Sequence, residues 1–500
     1  MSETLDRFLE YRNKMRQYGL AVSMLYWDLQ TATPKKGVEC KTEAIGFFST
    51  ESFKLSTGEA YGKLLEALSR PEEFDLLTRG MQVTVTREKE EYTRYKRIPQ
   101  DFYTELVTLT AKASRVWEEA KKNNDFAMFE PVLDQMIQMT KQSAKYQEPD
   151  MDPYEFMLSR YEKGMDTKQI EKLFEELKSG LVPLLAKIKA AAKPDLSALK
   201  GEYDLNAQRQ WQEFLLKYIG FDYEGGGVAE AEHPFTTSLG TGDVRVTNHF
   251  YTDDPINAMF SAIHEGGHAI FEQNIDPAFW NTAVANIDLM GLHESQSRFF
   301  ENMLGRNKNF WIPIYEKLGE YMPQFKEVPL DLFYRVINDV RPSLIRTAAD
   351  EVTYGLHVIL RFEMEKAIFG EGVPTSRLPE LWNEKMEELL GIRPETDREG
   401  ILQDVHWSNG YFGYFPSYLL GSIYDGMILA QLEKEMGSVD QILKEGRVKE
   451  ITRWLNEKIH KNGSLYTSGE VIGNLCGEGE ISAKPLMEYF NKKYSELYGF

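Results

Sequence analysis

Residues 264 to 268 read His-Glu-Gly-Gly-His, a spacing that can hold a metal ion on one face of a helix. Residues i and i+4 of a helix share a face, so His264 and His268 can bind the same ion. Glu265 then lies beside a water molecule at the ion, where its carboxylate can act as a general base. The pattern predicts a catalytic zinc site with two histidine ligands.

A catalytic zinc ion needs a third protein ligand and one open position. Glu294 begins a further predicted helix and completes a two-histidine, one-glutamate set, which is a known catalytic combination. Asp288, His293 and Glu301 are alternative ligands. Glu301 follows Glu294 by two helical turns on the same face, where it can accept an imidazole N–H. An ordinary carboxylate at the edge of the core is an equally good interpretation of Glu301.

Helical periodicity covers most of the chain and carries the motif. Helices are predicted from Leu5 to Leu25 and over 102–122, 170–192, 427–436 and 448–460, with an N-cap at Asp166. The motif lies in a helix beginning at Pro255. Gly266 and Gly267 each cost this helix about 1 kcal/mol relative to alanine. Two such residues indicate that another group approaches the helix closely at this point.

Residues 225–251 interrupt the helical pattern. Val244, Val246 and Phe250 follow an alternating pattern after a predicted turn at Gly240-Thr241-Gly242. This pattern predicts a small β hairpin directly before the metal helix.

Composition limits the compartment and the partners. The formal net charge of −20 argues against nucleic acid and anionic membranes as partners. Two cysteines, Cys40 and Cys476, are too few for a disulfide-built secreted protein. The N-terminus shows no signal peptide pattern, and we find no run of about 18 apolar residues. We therefore expect a cytoplasmic protein without a membrane span.

Six motifs in order resemble the M32 family of zinc metallocarboxypeptidases of the thermostable carboxypeptidase type. They are His233-Pro234-Phe235, Asp243 to Thr247, His264 to His268, His293 to Gln296, Ile345 to Asp350, and Gly400 to Trp407. The resemblance implies a mainly α-helical saddle with a deep groove, similar to neurolysin and angiotensin-converting enzyme, and a small β element beside the active-site helix. It also implies one zinc ion per chain, replaceable by cobalt or manganese, and a homodimer that removes single C-terminal residues from peptides with broad specificity.

The resemblance further implies a single peptidase domain over 1–500. Its parts are a helical N-terminal part (1–224), the hairpin with the metal and substrate site (225–420), and C-terminal helices (421–500).

By analogy with relatives, His406 and Tyr414 are expected to stabilise the oxyanion of the tetrahedral intermediate. Tyr418 is expected to contact the substrate, and Tyr411 and Tyr418 are both alternatives for the oxyanion role. A tyrosine in so aromatic a segment is also a common packing residue.

The motif Ile345 to Asp350 supplies Arg346 as the expected anchor of the substrate carboxylate, because its planar fork suits that group. Asp350, four residues later, can pair with Arg346 along a helix, either as a purely structural contact or while orienting the guanidinium for the substrate. His233 and Arg245 flank the hairpin and are expected to contact the substrate. Arg245 is alternatively a structural ion-pair partner buried at the hairpin base.

Three other histidines receive structural interpretations. His249 and His357 are expected to be packed, and His460 to be solvated within a charged helix.

Two competing functions remain at this stage. One is an endo-acting oligopeptidase or dipeptidase on the same scaffold, which would not need Arg346. The other is a non-catalytic zinc-binding scaffold, but structural zinc usually has four protein ligands, often cysteines.

Overall fold

The computed structural model describes residues 2–240, 242–477 and 480–500. The chain in these ranges is mainly helical with one small sheet, which confirms the predicted fold class. None of the helices in these ranges is both long enough and apolar enough to cross a membrane.

Ten helices, seven of them of 15 residues or more, make up most of the described chain before the sheet. Their bounds are α1 (Glu3–Thr31), α2 (Val38–Thr57), α3 (Glu59–Leu68), α4 (Pro71–Phe74), α5 (Arg79–Arg97), α6 (Gln100–Asn123), α7 (Phe126–Gln147), α8 (Pro153–Ser159), α9 (Thr167–Ala190) and α10 (Leu205–Ile219).

Twelve further helices follow the sheet among the described residues, and the first of them contains the metal motif. Their bounds are α11 (Pro255–Gln273), α12 (Met290–Arg298), α13 (Lys308–Trp311), α14 (Tyr315–Tyr321), α15 (Leu330–Ile337), α16 (Glu351–Lys366), α17 (Leu378–Leu390), α18 (Phe415–Met436), α19 (Val439–Lys444), α20 (Val448–Lys458), α21 (Ser468–Cys476) and α22 (Lys484–Tyr498). Two π-helical segments, Phe299–Gly305 and Ala367–Glu371, extend α12 and α16.

The sheet has three strands in the order β1 (Gly226–Glu230), β3 (Asp243–Asn248) and β2 (Thr236–Gly240). The predicted hairpin is confirmed as the antiparallel pair β2–β3, although Thr241 of its turn lies outside the described residues. Strand β1, which the sequence analysis did not predict, pairs with β3 in parallel register. Its Gly-Gly start gives no alternating signal, and a parallel partner leaves no hairpin turn in the sequence.

Local capping residues set where the important helices begin. Asp166 accepts a hydrogen bond from the Gln169 backbone and forms a capping box at α9, as predicted. Asp254 caps α11 by accepting a hydrogen bond from the Asn257 backbone, and Pro255 occupies the first turn of this helix. The cap at Asp254 and the proline after it fix the start of the metal helix shortly after β3.

One hydrophobic cluster joins α6 through α22, from Ala120 to Tyr494, and a separate smaller cluster around Phe8 and Leu65 holds the N-terminal helices together. Helix α16 is almost completely buried within the large cluster. The single domain and its three parts stay a prediction.

Candidate metal site and its surroundings

Three of the predicted metal ligands lie together in the structure. One ligand atom from each of His264, His268 and Glu294 falls within 4.8 Å of the others. Oε2 of Glu294 is 3.9 Å from Nε2 of His264 and 3.8 Å from Nε2 of His268. A zinc ion with bonds of about 2.0–2.2 Å spaces tetrahedral ligand atoms a little over 3 Å apart, so small side-chain rotations suffice for binding. The three residues therefore fit a zinc ion.

Gly267 explains how α12 brings Glu294 to the histidines. A Cβ atom at Gly267 would lie 2.7 Å from both the Gln296 carbonyl oxygen and the Ser297 Cα atom. The backbone of α12 thus rests directly on α11, as the glycine pair predicted. At Gly266 a Cβ atom would instead meet side-chain ends of Leu216 and Ile219 on α10, at 2.7 and 2.8 Å.

We expect Gly267→Ala to weaken zinc binding, because backbone atoms of α12 must move away from α11. Overpacking of this kind costs about 1–3 kcal/mol. Gly266→Ala is the matched control, since the ends of Leu216 and Ile219 can rotate and alanine gains about 1 kcal/mol of helix propensity. Melting temperature and zinc affinity of both variants test this. Equal losses in the two variants would contradict the assignment of Gly267 as the contact that sets the ligand spacing.

Helix α18 confines α12 from another side. A Cβ atom at Gly421 would lie 2.9 Å from the Gly291 carbonyl oxygen and 3.0 Å from the Ser295 nitrogen. Ser295 also donates a hydrogen bond to Asp425 of α18 at 2.7 Å. The helix that carries Glu294 is therefore held at main-chain distance by both α11 and α18.

Glu301 contacts His264, the first of the two candidate histidine ligands. Its Oε2 atom is 2.9 Å from Nδ1 of His264, which leaves Nε2 of His264 for the metal. Its Oε1 atom accepts a hydrogen bond from Arg306 at 3.0 Å. The predicted contact with an imidazole is thus present, and the π-helical segment Phe299–Gly305 presents it.

The alternative ligands are engaged elsewhere. His293 lies 3.0 Å from Glu272 through Nε2 and stacks on His268 with ring centroids 4.1 Å apart. Asp288 forms ion pairs with Arg87 and Lys163. Neither residue belongs to the ligand cluster found among the described residues.

Glu265 is buried beside the ligands, with 8% of its surface exposed. Thr236 of β2 donates a hydrogen bond to its Oε2 atom at 2.7 Å. Burial raises the pKa of Glu265, while His264 and Thr236 oppose that shift, as would a bound cation. The arrangement suits a base that must gain and then release a proton.

The expected oxyanion residues lie in one aromatic cluster. The ring of His406 stacks on Tyr414, and Tyr414 makes edge contacts with Tyr418 and Tyr161. Burial, reinforced by nearby arginines, lowers the pKa of His406 to about 4, so its imidazole is neutral at pH 7. Its Nδ1 atom is buried without a hydrogen-bond partner in the described ranges. Tyr411 is half exposed, so the surroundings favour Tyr414 over it.

Arg346 pairs with Asp404, and the predicted pairing with Asp350 is wrong. Two guanidinium nitrogens of Arg346 donate to Oδ1 of Asp404, at 3.2 and 2.9 Å. Asp350 instead caps α16 through the Val352 and Thr353 backbone N–H groups. Tyr418 lies under Arg346, with its ring centroid 5.1 Å from the guanidinium carbon. A contact 58 residues away along the chain could not be read from helical spacing.

Arg361 binds the other oxygen of Asp404, with Nε at 2.7 Å from Oδ2. Although burial acts to raise it, Arg361 and Arg346 hold the pKa of Asp404 well below its usual range. Two buried guanidinium groups thus share a single carboxylate. The cluster carries a net positive charge, which favours an anion beside it.

The residues that flank the hairpin lie at its surface. His233 is exposed, and its carbonyl oxygen is 3.5 Å from the Thr247 hydroxyl. Arg245 forms a two-bond ion pair with Asp243 and lies over the Trp27 ring. The expected ion pair is confirmed, but the expected burial of Arg245 is wrong, since 31% of its side chain is exposed. Substrate contact by His233 and Arg245 stays a prediction.

The three remaining histidines are all packed. His249 contacts the Ala231 carbonyl, and His357 is fully buried in α16, as predicted. His460 was predicted to be solvated, and this is wrong. Its ring is fully buried and lies 2.7 Å from Oε1 of Gln296 on α12.

Glu162 fixes the first turn of α12 from a buried position. Its Oε1 atom accepts a hydrogen bond from the Gly291 backbone N–H at 2.7 Å, and Tyr424 contributes a longer one at 3.4 Å. Burial raises the pKa of Glu162 to about 7. This residue carries no motif signal and was missed at the sequence level.

The raised pKa predicts how stability depends on pH. The folded state keeps the Glu162 proton up to about pH 7, whereas the unfolded state releases it near pH 4.5. The folded state therefore binds more protons in this window, and the contribution falls as pH rises through it, by on the order of 3 kcal/mol.

Glu162→Gln removes this dependence, because glutamine can accept from Gly291 and donate to Tyr424 without a charge. We expect the melting temperature of the variant relative to the parent protein to be higher at pH 8 than at pH 5. A difference that stays constant between the two pH values would contradict a raised pKa.

Other functional neighbours were also missed. Thr236 follows the His-Pro-Phe motif directly, and Gln403 and Asp404 lie within the last motif, so their positions offered a signal. Arg361 directly follows the apolar run Val358-Ile359-Leu360 of α16, where a charge is itself a signal of a buried partner.

Comparison with known proteins gives one consistent result. The family model "Carboxypeptidase Taq (M32) metallopeptidase" matches residues 7–494. Carboxypeptidase 1 of Bacillus subtilis is 42% identical over 493 residues, covering 98% of each chain, and thermostable carboxypeptidase 1 of Pyrococcus furiosus is 36% identical over 500 residues, covering 99% of each. The crystal structure of an M32 carboxypeptidase from Deinococcus radiodurans superimposes with a TM-score of 0.95 at 31% identity, over the full length of both chains.

Proposed function

The chain belongs to the M32 family of metallocarboxypeptidases, and from this premise we propose that it removes single C-terminal residues at a zinc ion held by His264, His268 and Glu294. The observation that carries the proposal is the convergence of three ligand atoms within 4.8 Å, with Glu265 buried next to them. Three ligands rather than four leave a position open for water or substrate. Zinc, when bound, polarises the scissile carbonyl and lowers the pKa of water toward neutrality.

Glu265 acts as the general base. Thr236 holds one of its carboxylate oxygens, which leaves the other to accept the proton of the attacking water. The protonated Glu265 then donates this proton to the nitrogen of the leaving amino acid. Both transfers use one carboxyl group that the backbone of α11 fixes beside the ligands.

His406 and Tyr414 donate hydrogen bonds to the oxyanion of the tetrahedral intermediate. A neutral His406 can donate through one ring nitrogen, and Tyr414 through its hydroxyl. Such donors act most strongly when they are already oriented and shielded from water. The stacked, largely buried rings of His406 and Tyr414 meet that requirement.

Arg346 binds the free carboxylate of the substrate, with Tyr418 packed against the guanidinium. Its Nη1 atom lies 3.5 Å from the Tyr354 hydroxyl, which is too long for a strong hydrogen bond. The net positive charge of the cluster formed by Arg346, Arg361 and Asp404 favours an anion at this nitrogen. An endopeptidase has no use for such an anchor.

The test is a pair of short N-blocked peptides that differ only in the C-terminus, one a free acid and the other an amide, each incubated with and without a chelator. Mass spectra of the products should show stepwise loss of single residues from the free acid only, stopped by the chelator. Internal cleavage of both peptides would establish the oligopeptidase alternative instead.

The metal and the assembly need separate tests. Apoprotein reconstituted with zinc, cobalt or manganese should regain activity, and metal analysis of protein purified without added metal should find one zinc ion per chain. We also propose a homodimer, which sedimentation velocity tests, and a cytoplasmic location, which the low cysteine content supports.

A further inference from the structure

Glu365 is a fully buried carboxylate that accepts hydrogen bonds from three residues in two separate parts of the chain. It lies near the end of α16. Its Oε1 atom accepts from the Trp407 indole at 2.9 Å. Its Oε2 atom accepts from the Tyr154 hydroxyl at 2.9 Å and from the Gly413 backbone N–H at 3.0 Å.

Two of these donors are sequence neighbours of the expected oxyanion residues. Trp407 directly follows His406, and Gly413 directly precedes Tyr414. One side chain therefore holds both ends of the segment 406–414. A rotation or shift of this carboxylate would move Trp407 and Gly413 together, and with them His406 and Tyr414.

Gly413 allows the segment 406–414 to lie directly against α8 and Glu365. Its φ angle of 79° lies in the left-handed region, and a Cβ atom there would be 2.7 Å from the Leu158 nitrogen. The chain thus turns against the end of α8 at this residue, and the turn leaves the Gly413 N–H to Glu365. Tyr154 on the same helix binds the same carboxylate oxygen.

The carboxylate has no ion-pair partner within 4 Å among the described residues, and burial raises its pKa to about 7. A buried acid without a cation is costly for stability, and an apolar or amide side chain of similar size would avoid that cost. What only the carboxylate offers is its geometry. Its two oxygens both accept hydrogen bonds, so it can bind both ends of the segment at once.

We propose that Glu365 is a positioning residue that fixes His406 and Tyr414 relative to the metal site by binding Trp407 and Gly413. This inference rests on the proposed function, in which those two side chains stabilise the oxyanion. The change Glu365→Gln keeps the size of the side chain but turns an amide N–H group toward Trp407 or Gly413. Because two N–H groups cannot bond to each other, the segment is released at that end.

The experiment is a double-mutant cycle on the zinc-loaded enzyme with Glu365→Gln and Tyr414→Phe. We expect Glu365→Gln alone to lower kcat about 10- to 100-fold, with zinc content and KM close to those of the parent. In the Tyr414→Phe background the same change should lower kcat by a factor at least about threefold smaller than in the parent, because only His406 then remains of the two oxyanion donors that Glu365 positions. Leu65→Ala, in the separate N-terminal core, controls for a general loss of stability.

Each outcome decides a different point. Equal factors in the parent, Tyr414→Phe and His406→Ala backgrounds, or a loss of kcat that Leu65→Ala reproduces at a similar melting temperature, would overturn the positioning role while leaving the proposed function intact. If Tyr414→Phe has no effect by itself, the oxyanion role of Tyr414 fails, and the same cycle with His406→Ala decides whether Glu365 acts through the other donor.

Discussion

Glu265→Gln is expected to lower kcat about 10²- to 10⁴-fold, because glutamine cannot accept the proton of the attacking water. The variant should still bind zinc, since the three ligands are other residues and glutamine keeps the volume of the side chain. The Thr236 hydroxyl can still donate to the amide oxygen. Steady-state kinetics and metal analysis on the same preparation would measure both properties.

The matched control is Glu327→Gln, the same change at an exposed position outside the site. It should leave kcat and zinc content unchanged. Turnover by Glu265→Gln within tenfold of the parent, with zinc bound, would show that another group takes the proton. Loss of zinc from the variant would instead assign Glu265 a role in metal binding.

Arg346→Ala is expected to lower kcat/KM for free-acid peptides about 10²- to 10³-fold. Removing one partner of a buried, hydrogen-bonded charge pair typically costs 2–5 kcal/mol, and each 1.4 kcal/mol is a factor of ten. The fold should tolerate the change, because Arg361 still pairs with Asp404. The kcat/KM of Arg346→Lys should lie between those of the parent and Arg346→Ala, since lysine keeps the charge but loses the planar fork.

Inhibition by short peptides separates binding from structure. The parent protein should bind a free-acid dipeptide more tightly than its amide, and Arg346→Ala should abolish most of that difference. Arg377→Ala, which removes an exposed arginine paired with Glu384, should preserve it. An equal loss of affinity for the acid and the amide would identify Arg346 as a structural residue.

The cluster of candidate metal ligands was predictable because most of the sequence pattern that defines it is local. The i, i+4 histidines, the intervening glutamate and the two glycines all lie within one helix, and the structure places them as expected. Glu294 required only the assumption that the next helix returns to the first. Capping by Asp166 and the hairpin β2–β3 are similarly short-range features.

Contacts between distant parts of the chain were not predictable in the same way. The partner of Arg346 is Asp404 rather than Asp350, because the helix begins only after Asp350 and the arginine precedes it in a 3₁₀ turn. His460 has charged neighbours in sequence, yet its ring packs against Phe271 and contacts the side chain of Gln296. The π-helical segment that presents Glu301 has no sequence signal that we can identify.

The glycines that face α12 have an evolutionary consequence. Main-chain atoms have no rotamers, and Gly267 and Gly421 leave no side chain that could change size between the three helices. The surrounding core can therefore exchange its apolar residues over time without altering the distance from the histidines to Glu294. The two glycines cannot be exchanged in this way. The distance between the ligands should therefore change far more slowly than the residue types of the core that encloses them.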